Sequence, residues 1–366
     1  MTSIVKIGII GCGNVCRQYF EMLKRFDLVE LKSLADLDMK KAVVLAAELG
    51  VLAVSTGDLL SDPEIDLVVN LTVPAAHAEI SLQAISAGKH VYSEKPLAIT
   101  RQEGRRLLKA AQEKGVLIAC APDHFLGPAL QTCRKLIDTG QIGTPIAATA
   151  FSSTRGPEFW HPDPNFYYQA GAGPLFDLGP YLLTALVFLL GPVRRVTSSA
   201  HISFPIRQIF SQPNYGKQIR VEVPTYIAGV IDFAAGSVAS IVASFDIWHA
   251  NQPSIEIFGS EGTLSLPGPN KFSSPVRLRR ENEPHWSEVP LIYSNLVGRG
   301  IGVIDLADAI IHNRTPLASG ELAFHVLDLM HSLIEASDGA QHISIESACE
   351  RPFPLDMKLL STETRT

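Results

Sequence analysis

Over the first third of the chain, short and almost continuously apolar runs alternate with longer amphipathic ones. Val5–Ile10, Val29–Ala35, Val51–Val54, Asp66–Leu71, His90–Ser93 and Leu117–Ala121 read as strands. Runs apolar on both faces are what a parallel sheet covered on two sides requires. Between them, Val15–Phe26, Lys40–Glu48, Ala75–Ala87 and Arg101–Lys114 recur at helical spacing. This alternation predicts an α/β fold with a doubly wound parallel sheet.

After Pro122 the pattern changes. A helix over Gly127–Thr139 leads into strands at Ile146–Ser153, Val193–Phe204, Tyr226–Phe233, Ser237–Phe245, Ile255–Phe258, Thr263–Leu266 and Val276–Arg280. The tight connections "FAAGSV" and "GSEGT" predict antiparallel pairing. Helices over Tyr181–Leu190, Ile301–Ile311 and Leu322–Ser337 are expected to cover one face of that sheet. The expectation is therefore two domains, residues 1–123 and 124–366, the second an α+β domain with a large open, mainly antiparallel sheet. The polar tail beyond Leu360 is expected to fray.

Composition narrows the class. The 366 residues are 46% hydrophobic and 19% charged, enough apolar material for two cores. Against 37 acidic side chains stand 31 basic ones, a formal charge of −6 with no basic block, which argues against nucleic acid and membrane-surface partners. Five scattered cysteines without a C-x-x-C pair read as reduced thiols. No basic-then-apolar leader precedes the first strand, and no apolar run reaches the ~18 residues of a membrane span. The chain is expected to be cytoplasmic, and no metal-ligand spacing is present.

The stretch "KIGIIGCGNVCRQYF" places a Gly-x-Gly turn between a strand and a helix. Such a turn lets the backbone of Gly11, Gly13, Asn14 and Val15 approach a pyrophosphate, whose charge the helix N-terminus favours. The third glycine of the pattern serves helix–strand packing, so the small Cys16 is an acceptable replacement. Asp36 follows 23 residues after Gly13, at the end of the second strand, where a carboxylate accepts from the adenosine ribose and repels a 2′-phosphate. NAD is favoured over NADP. Asp38 is the rival for that role, its other reading being a helix N-cap. In "NLTVPAAHAE", Thr72 and Pro74 lie at the carboxyl edge of the sheet, and His77 either faces the cofactor or bonds locally.

Together with that turn, "TVPAAH", "AGKHVYSEKPLA" and "GAGPLFDLGPY" closely resemble the Gfo/Idh/MocA oxidoreductases, the family named for glucose–fructose oxidoreductase and inositol dehydrogenase. The resemblance implies an N-terminal Rossmann domain, a C-terminal open sheet that commonly mediates homo-oligomers, and hydride transfer at a sugar or polyol hydroxyl. It also implies that Lys95 of the Glu-Lys-Pro tripeptide stands beside the nicotinamide. A cation there stabilises the charge that develops as a carbinol loses its proton, while Glu94 orients the lysine. The family's second motif carries a histidine four residues after an aspartate. Here the aspartate is Asp177, but the fourth residue on is Tyr181. Both would share one helix face. A neighbouring cation makes a tyrosine hydroxyl easier to deprotonate, so Tyr181 is either the base or only a hydrogen-bond partner for a sugar. His124, His161 and His325 are the histidines that remain for that role, each with a structural reading as well.

Between Phe151 and Tyr181 the chain is rich in aromatic residues, Pro and Gly, a composition suited to stacking on sugar rings. Trp160, His161, Phe166, Tyr167 and Tyr168 are the candidates. Arg155 either binds an acidic substrate group or makes a local salt bridge. "PDHFLG" puts Asp123 and His124 where many relatives carry an arginine, which favours a neutral glycoside, oxidised at a position such as C3, over an acidic sugar. Other readings are an inositol or polyol dehydrogenase, an NAD-using glycosidase acting through a transient ketone, and a catalytically silent NAD-sensing regulator.

Overall fold

The computed structural model describes residues 4–266, 268, 271–293 and 297–360; the tail beyond Leu360 lies outside them. The chain gathers into two units: Met1–Gly127 with Tyr293–Leu327 and Pro352–Thr366, and Pro128–Ile292 with Asp328–Arg351.

The first unit is built on β1 (Val5–Ile10), α1 (Cys16–Leu23), β2 (Val29–Ala35), α2 (Met39–Leu49), β3 (Leu52–Ala53), α3 (Thr56–Ser61), β4 (Leu67–Asn70), α4 (Pro74–Ser86), β5 (His90–Ser93), α5 (Arg101–Lys114) and β6 (Ile118–Cys120). Its strands form one parallel sheet in the order β3-β2-β1-β4-β5-β6. That order reverses direction between β1 and β4, which opens the crevice at the carboxyl ends where ligands of such sheets bind. The apolar runs explain the buried core: Ile7, Ile9, Leu67, Val68, Val69, Val91 and Tyr92 are all inaccessible to solvent. Helix ends follow local chemistry. Thr100 and Glu103 cap α5 reciprocally, with Glu103 N–H donating to Thr100 Oγ1 at 3.2 Å and Thr100 N–H to Glu103 Oε2 at 2.9 Å. Helix α3 was not expected from the pattern; it is a short turn capped by Ser55.

The second unit continues with α6 (Pro128–Asp138), β7 (Pro145–Ser153), α7 (Pro174–Leu190), β8 (Val193–His201), β9 (Ile206–Gln208), β10 (Gln218–Arg220), β11 (Tyr226–Phe233), β12 (Val238–Ser244), β13 (Ile255–Gly259), β14 (Gly262–Leu266), β15 (Val276–Arg280) and β16 (Ser287–Val289). After these come α8 (Ile301–His312), α9 (Gly320–Asp338), β17 (Ile343–Ser344) and α10 (Met357–Leu360). Among the described residues the large sheet runs β16-β15-β14-β13-β7-β12-β11-β8-β17. Every pairing in it is antiparallel except β7 with β12. Helix α7 packs on β7, β11 and β12. The second half of α9 also reaches this sheet, where Ser198 Oγ donates to the Leu333 carbonyl.

Two expectations need correction. Helix α7 starts at Pro174 rather than near Tyr181, because Pro174 occupies the first turn, where a missing N–H costs nothing. Pro180 is carried inside the helix, where it forgoes the bond to the Phe176 carbonyl. Helix α8, expected on the second sheet, packs instead on α1, β5 and β6 of the first unit. Its approach needs Gly302, where a Cβ would stand 2.7 Å from the Tyr92 hydroxyl. Nearby, Ala119 bridges Ser319, and Cys120 N–H donates to the Ala318 carbonyl at 2.9 Å.

Candidate active site

The turn after β1 is shaped for close backbone approach. Gly11 has φ +106°, and a Cβ on it would lie 2.6 Å from the Leu71 carbonyl. A Cβ on Gly13 would meet nothing within 4 Å, so that side of the turn is open. Among the described residues, the amides of Gly13, Asn14 and Val15 make no hydrogen bond. Three free donors at a helix N-terminus suit a pyrophosphate. Cys16 is fully buried behind the turn, as a packing residue in the third glycine position should be.

Asp36 braces this turn from β2. Its Oδ2 accepts from Cys12 N–H at 2.7 Å and its Oδ1 from Asp38 N–H at 2.8 Å. Asp38 itself caps α2, accepting from Lys40 N–H at 3.1 Å. Asp38 thus takes the capping reading, while Asp36 holds the turn.

The β4–α4 turn is organised by the buried Asn70. Its Oδ1 accepts from Thr72 Oγ1 at 2.7 Å and from Thr72 N–H at 3.2 Å, while its Nδ2 donates to the His77 carbonyl and Ser81 Oγ, each at 3.0 Å. His77 bonds locally. It is 1% exposed, with Nδ1 2.7 Å from the Pro96 carbonyl and Nε2 2.9 Å from that of Thr72. Burial lowers its pKa, against the pull of those two carbonyls. It ties the Thr72 turn to the residue after Lys95, and Pro74 opens α4 beside it.

Glu94 is buried at the end of β5. Its Oε1 accepts from Tyr19 Oη and from Arg299 Nη1, each at 2.9 Å, and its Oε2 from Lys95 N–H at 3.0 Å. Burial pushes its carboxyl up, but Arg299, Lys95 and the Tyr19 hydroxyl outweigh this and leave it below the ordinary carboxylate range. The carboxylate therefore stays ionised and fixes the backbone of the partly buried Lys95. Sequence reasoning missed Arg299 and Tyr19. The signal for the first was the glycine-flanked arginine of "GRGIG" ahead of a helix.

Asp123 lies behind this network, its Oδ2 accepting from the amides of Gly300 at 2.7 Å and Gly302 at 3.1 Å. Burial pushes its carboxyl up to about 6, against the pull of those amides. A folded-state pKa above the unfolded one means that stability falls as pH rises through that window. Relative to Asp123→Asn, the wild type should gain up to about 3 kcal/mol as pH falls from about 6 to about 4. Parallel melting temperatures for the two proteins across that range would refute it. His124, beside Asp123, is buried in the same turn.

In the second unit, Asp177 and Tyr181 stand one turn apart on α7, both partly buried. Trp160, His161, Phe166 and Tyr167 form one run of ring contacts, with centroids 4.2–6.1 Å apart. Trp160 is 62% exposed and Phe166 44%, so this run meets solvent. Tyr168 does not join it. It is fully buried with Ile209, Ile219, Val221 and Phe245, and its hydroxyl is bonded to Glu158, which removes it from any surface a sugar would touch. His325 is fully buried as well. Among the described residues no cluster of His, Cys, Asp and Glu is placed to hold a metal, and no helix is long and apolar enough to cross a membrane.

Comparison with known proteins decides the family. The profile of the oxidoreductase family with an NAD-binding Rossmann fold matches residues 5–121, and that of the GFO/IDH/MocA C-terminal domain matches residues 130–265. D-Glucoside 3-dehydrogenase of Escherichia coli K12 is 30% identical over 259 residues, 67% of this chain and 71% of that one. The chain belongs to the Gfo/Idh/MocA family. Another Gfo/Idh/MocA relative, 1,5-anhydro-D-fructose reductase of Ensifer adhaerens, is 28% identical over 93% of this chain and 98% of its own. The structure of a levoglucosan dehydrogenase with NADH and L-sorbose shares the fold, with a TM-score of 0.81 at 22% identity over 94% of this chain and 99% of that one. The N-terminal unit carries the NAD-binding Rossmann fold of the Gfo/Idh/MocA family and binds NAD. The open Gly13 side, the free amides of the turn and the Asp36 carboxylate fit that nucleotide.

Proposed function

We propose that this oxidoreductase oxidises a ring hydroxyl of a sugar or neutral glycoside, with C3 of a glucoside as the position. NAD, when bound, supplies the acceptor for the hydrogen that leaves carbon with its electron pair. The chain's residues do the rest. Gly11, Gly13, Asn14 and Val15 hold the pyrophosphate, Asp36 holds the ribose, and the Thr72–Pro74 turn, braced by His77, lines the nicotinamide side. The Lys95 ammonium stabilises negative charge on the substrate oxygen, and Tyr181, oriented together with Asp177, takes the hydroxyl proton. His124, His161 and Trp160 contribute polar and stacking contacts to the sugar.

The observation that carries this reading is the buried Glu94, which pins the Lys95 backbone at the carboxyl edge of the sheet. The glucoside and C3 assignments draw support from the name of the E. coli relative and from the exposed aromatic run of the second unit. NMR of the product formed from methyl β-D-glucoside tests the position: a C3 ketone agrees, and a ketone at any other carbon refutes it. Tyr181→Phe tests the proton's destination. Its kcat should fall at least about a hundredfold with KM nearly unchanged. A raised KM at constant kcat would instead reduce Tyr181 to a sugar contact.

The cellular setting belongs to the same proposal. Five free cysteines fit a reducing cytoplasm. The sheet face turned away from α7 exposes Val230 and Val238, apolar area that a homo-oligomer would cover.

A further inference from the structure

Arg155 follows β7, and among the described residues no acid pairs with it. Its guanidinium carbon lies 4.7 Å from the ring centre of Trp248, 5.3 Å from that of Phe204 and 5.8 Å from that of Phe159. Its Nε and Nη1 are buried without a hydrogen-bond partner. The two carboxylates nearby are already committed. Glu158 accepts from Arg207 Nη1 at 2.7 Å and from the Tyr168 hydroxyl. Asp246 accepts from Ser203 Oγ at 2.6 Å, Thr225 Oγ1 at 2.8 Å and Arg207 Nη2. The salt bridge that a lone loop arginine ordinarily makes is therefore absent among the described residues.

A guanidinium stays charged at any pH a protein survives, and its donors form a flat fork matched to carboxylate and phosphate oxygens. Ring faces compensate its charge but offer nothing to its N–H groups. Arg207 lies 5.4 Å from the same Phe204 ring, so two cations lie against one aromatic ring. Trp248 and Phe204 are themselves 61% and 46% exposed, leaving apolar ring surface beside the fork.

We propose that Arg155 anchors a binding site for an organic anion, a carboxylate or phosphate carried on a flat apolar body that stacks on Trp248 and Phe204. Glu158 and Asp246 balance the two arginines, so the anion is held by the fork and by ring contact rather than by net charge. Millimolar affinity is the expectation. The site goes beyond the dehydrogenase reading and does not depend on it.

The test is calorimetric titration of the full chain, without nucleotide, with benzoate and phenyl phosphate, using neutral benzamide and inorganic phosphate as controls. Benzoate and phenyl phosphate should saturate, benzamide should not, and inorganic phosphate should bind more weakly than its phenyl ester. Arg155→Met should weaken benzoate at least tenfold, and Arg155→Lys, which keeps the charge without the fork, should fall between. The lysine variant carries the test if the methionine variant does not fold. Unchanged benzoate binding in these variants, no binding of either organic anion, or benzamide binding as well as benzoate overturns the proposal. Inorganic phosphate binding as tightly as phenyl phosphate overturns the stacking role. No turnover enters the measurement, so its failure leaves the assignment of Lys95 standing, and the reverse holds too.

Discussion

Lys95→Ala should lower kcat by about a thousandfold, the loss expected when a charge-stabilising donor is removed from the reacting oxygen. NAD affinity should barely change. The phosphate- and ribose-binding groups lie at Gly11, Gly13 and Asp36, well apart in the chain from β5, and the substitution disturbs none of their hydrogen bonds. The fold should persist too, because Glu94 keeps Tyr19 and Arg299 as partners when only the lysine side chain is removed. Steady-state turnover alongside nucleotide titration separates the two effects. Unchanged turnover would remove Lys95 from the reaction; a parallel loss of NAD binding would make it a nucleotide ligand.

Gly11→Ala attacks the other end of the site. A non-glycine residue at φ +106° costs on the order of 1–3 kcal/mol by conformation alone. The new methyl group would also press on the Leu71 backbone at 2.6 Å. Backbone cannot yield as a flexible side chain does, so β1 and β4 must separate where the nucleotide crevice opens. We expect a melting temperature lower by several degrees and NAD binding weakened more than tenfold. Gly13→Ala is the internal control, since its Cβ enters open space and should cost the fold little. Equal melting temperatures for wild type and Gly11→Ala would contradict the geometry.

Local pattern sufficed wherever the determinant was local. Continuous apolar runs and their spacing predicted the parallel sheet, and the positions of Gly11, Gly13 and Asp36 followed from strand ends. The failures have a common physical origin in contacts made far along the chain. Helix α8 has an apolar pattern that suits either unit, and only packing on α1, β5 and β6 reveals which one it serves. Arg299 reaches Glu94 across 205 positions, a pairing no local spacing encodes. Tyr167 and Tyr168 are adjacent and chemically identical, and both touch Phe245, yet only Tyr167 also joins the aromatic run while Tyr168 is fully buried, a difference that no local pattern encodes. The helix expected over Tyr181–Leu190 starts at Pro174 and carries Pro180 inside it, because packing of the apolar α7 on β7, β11 and β12 outweighs the single lost hydrogen bond.

The central claim is that this chain passes hydrogen from a sugar ring carbon to NAD. Absorbance of NADH, followed while purified protein and NAD are mixed with a panel of neutral sugars, glycosides and inositols, tests it most directly. The account predicts NADH formation with at least one neutral glycoside and its loss in Lys95→Ala. Contradiction would be a protein that binds NAD yet reduces it with no sugar or glycoside of the panel, or that reduces it only with an inositol.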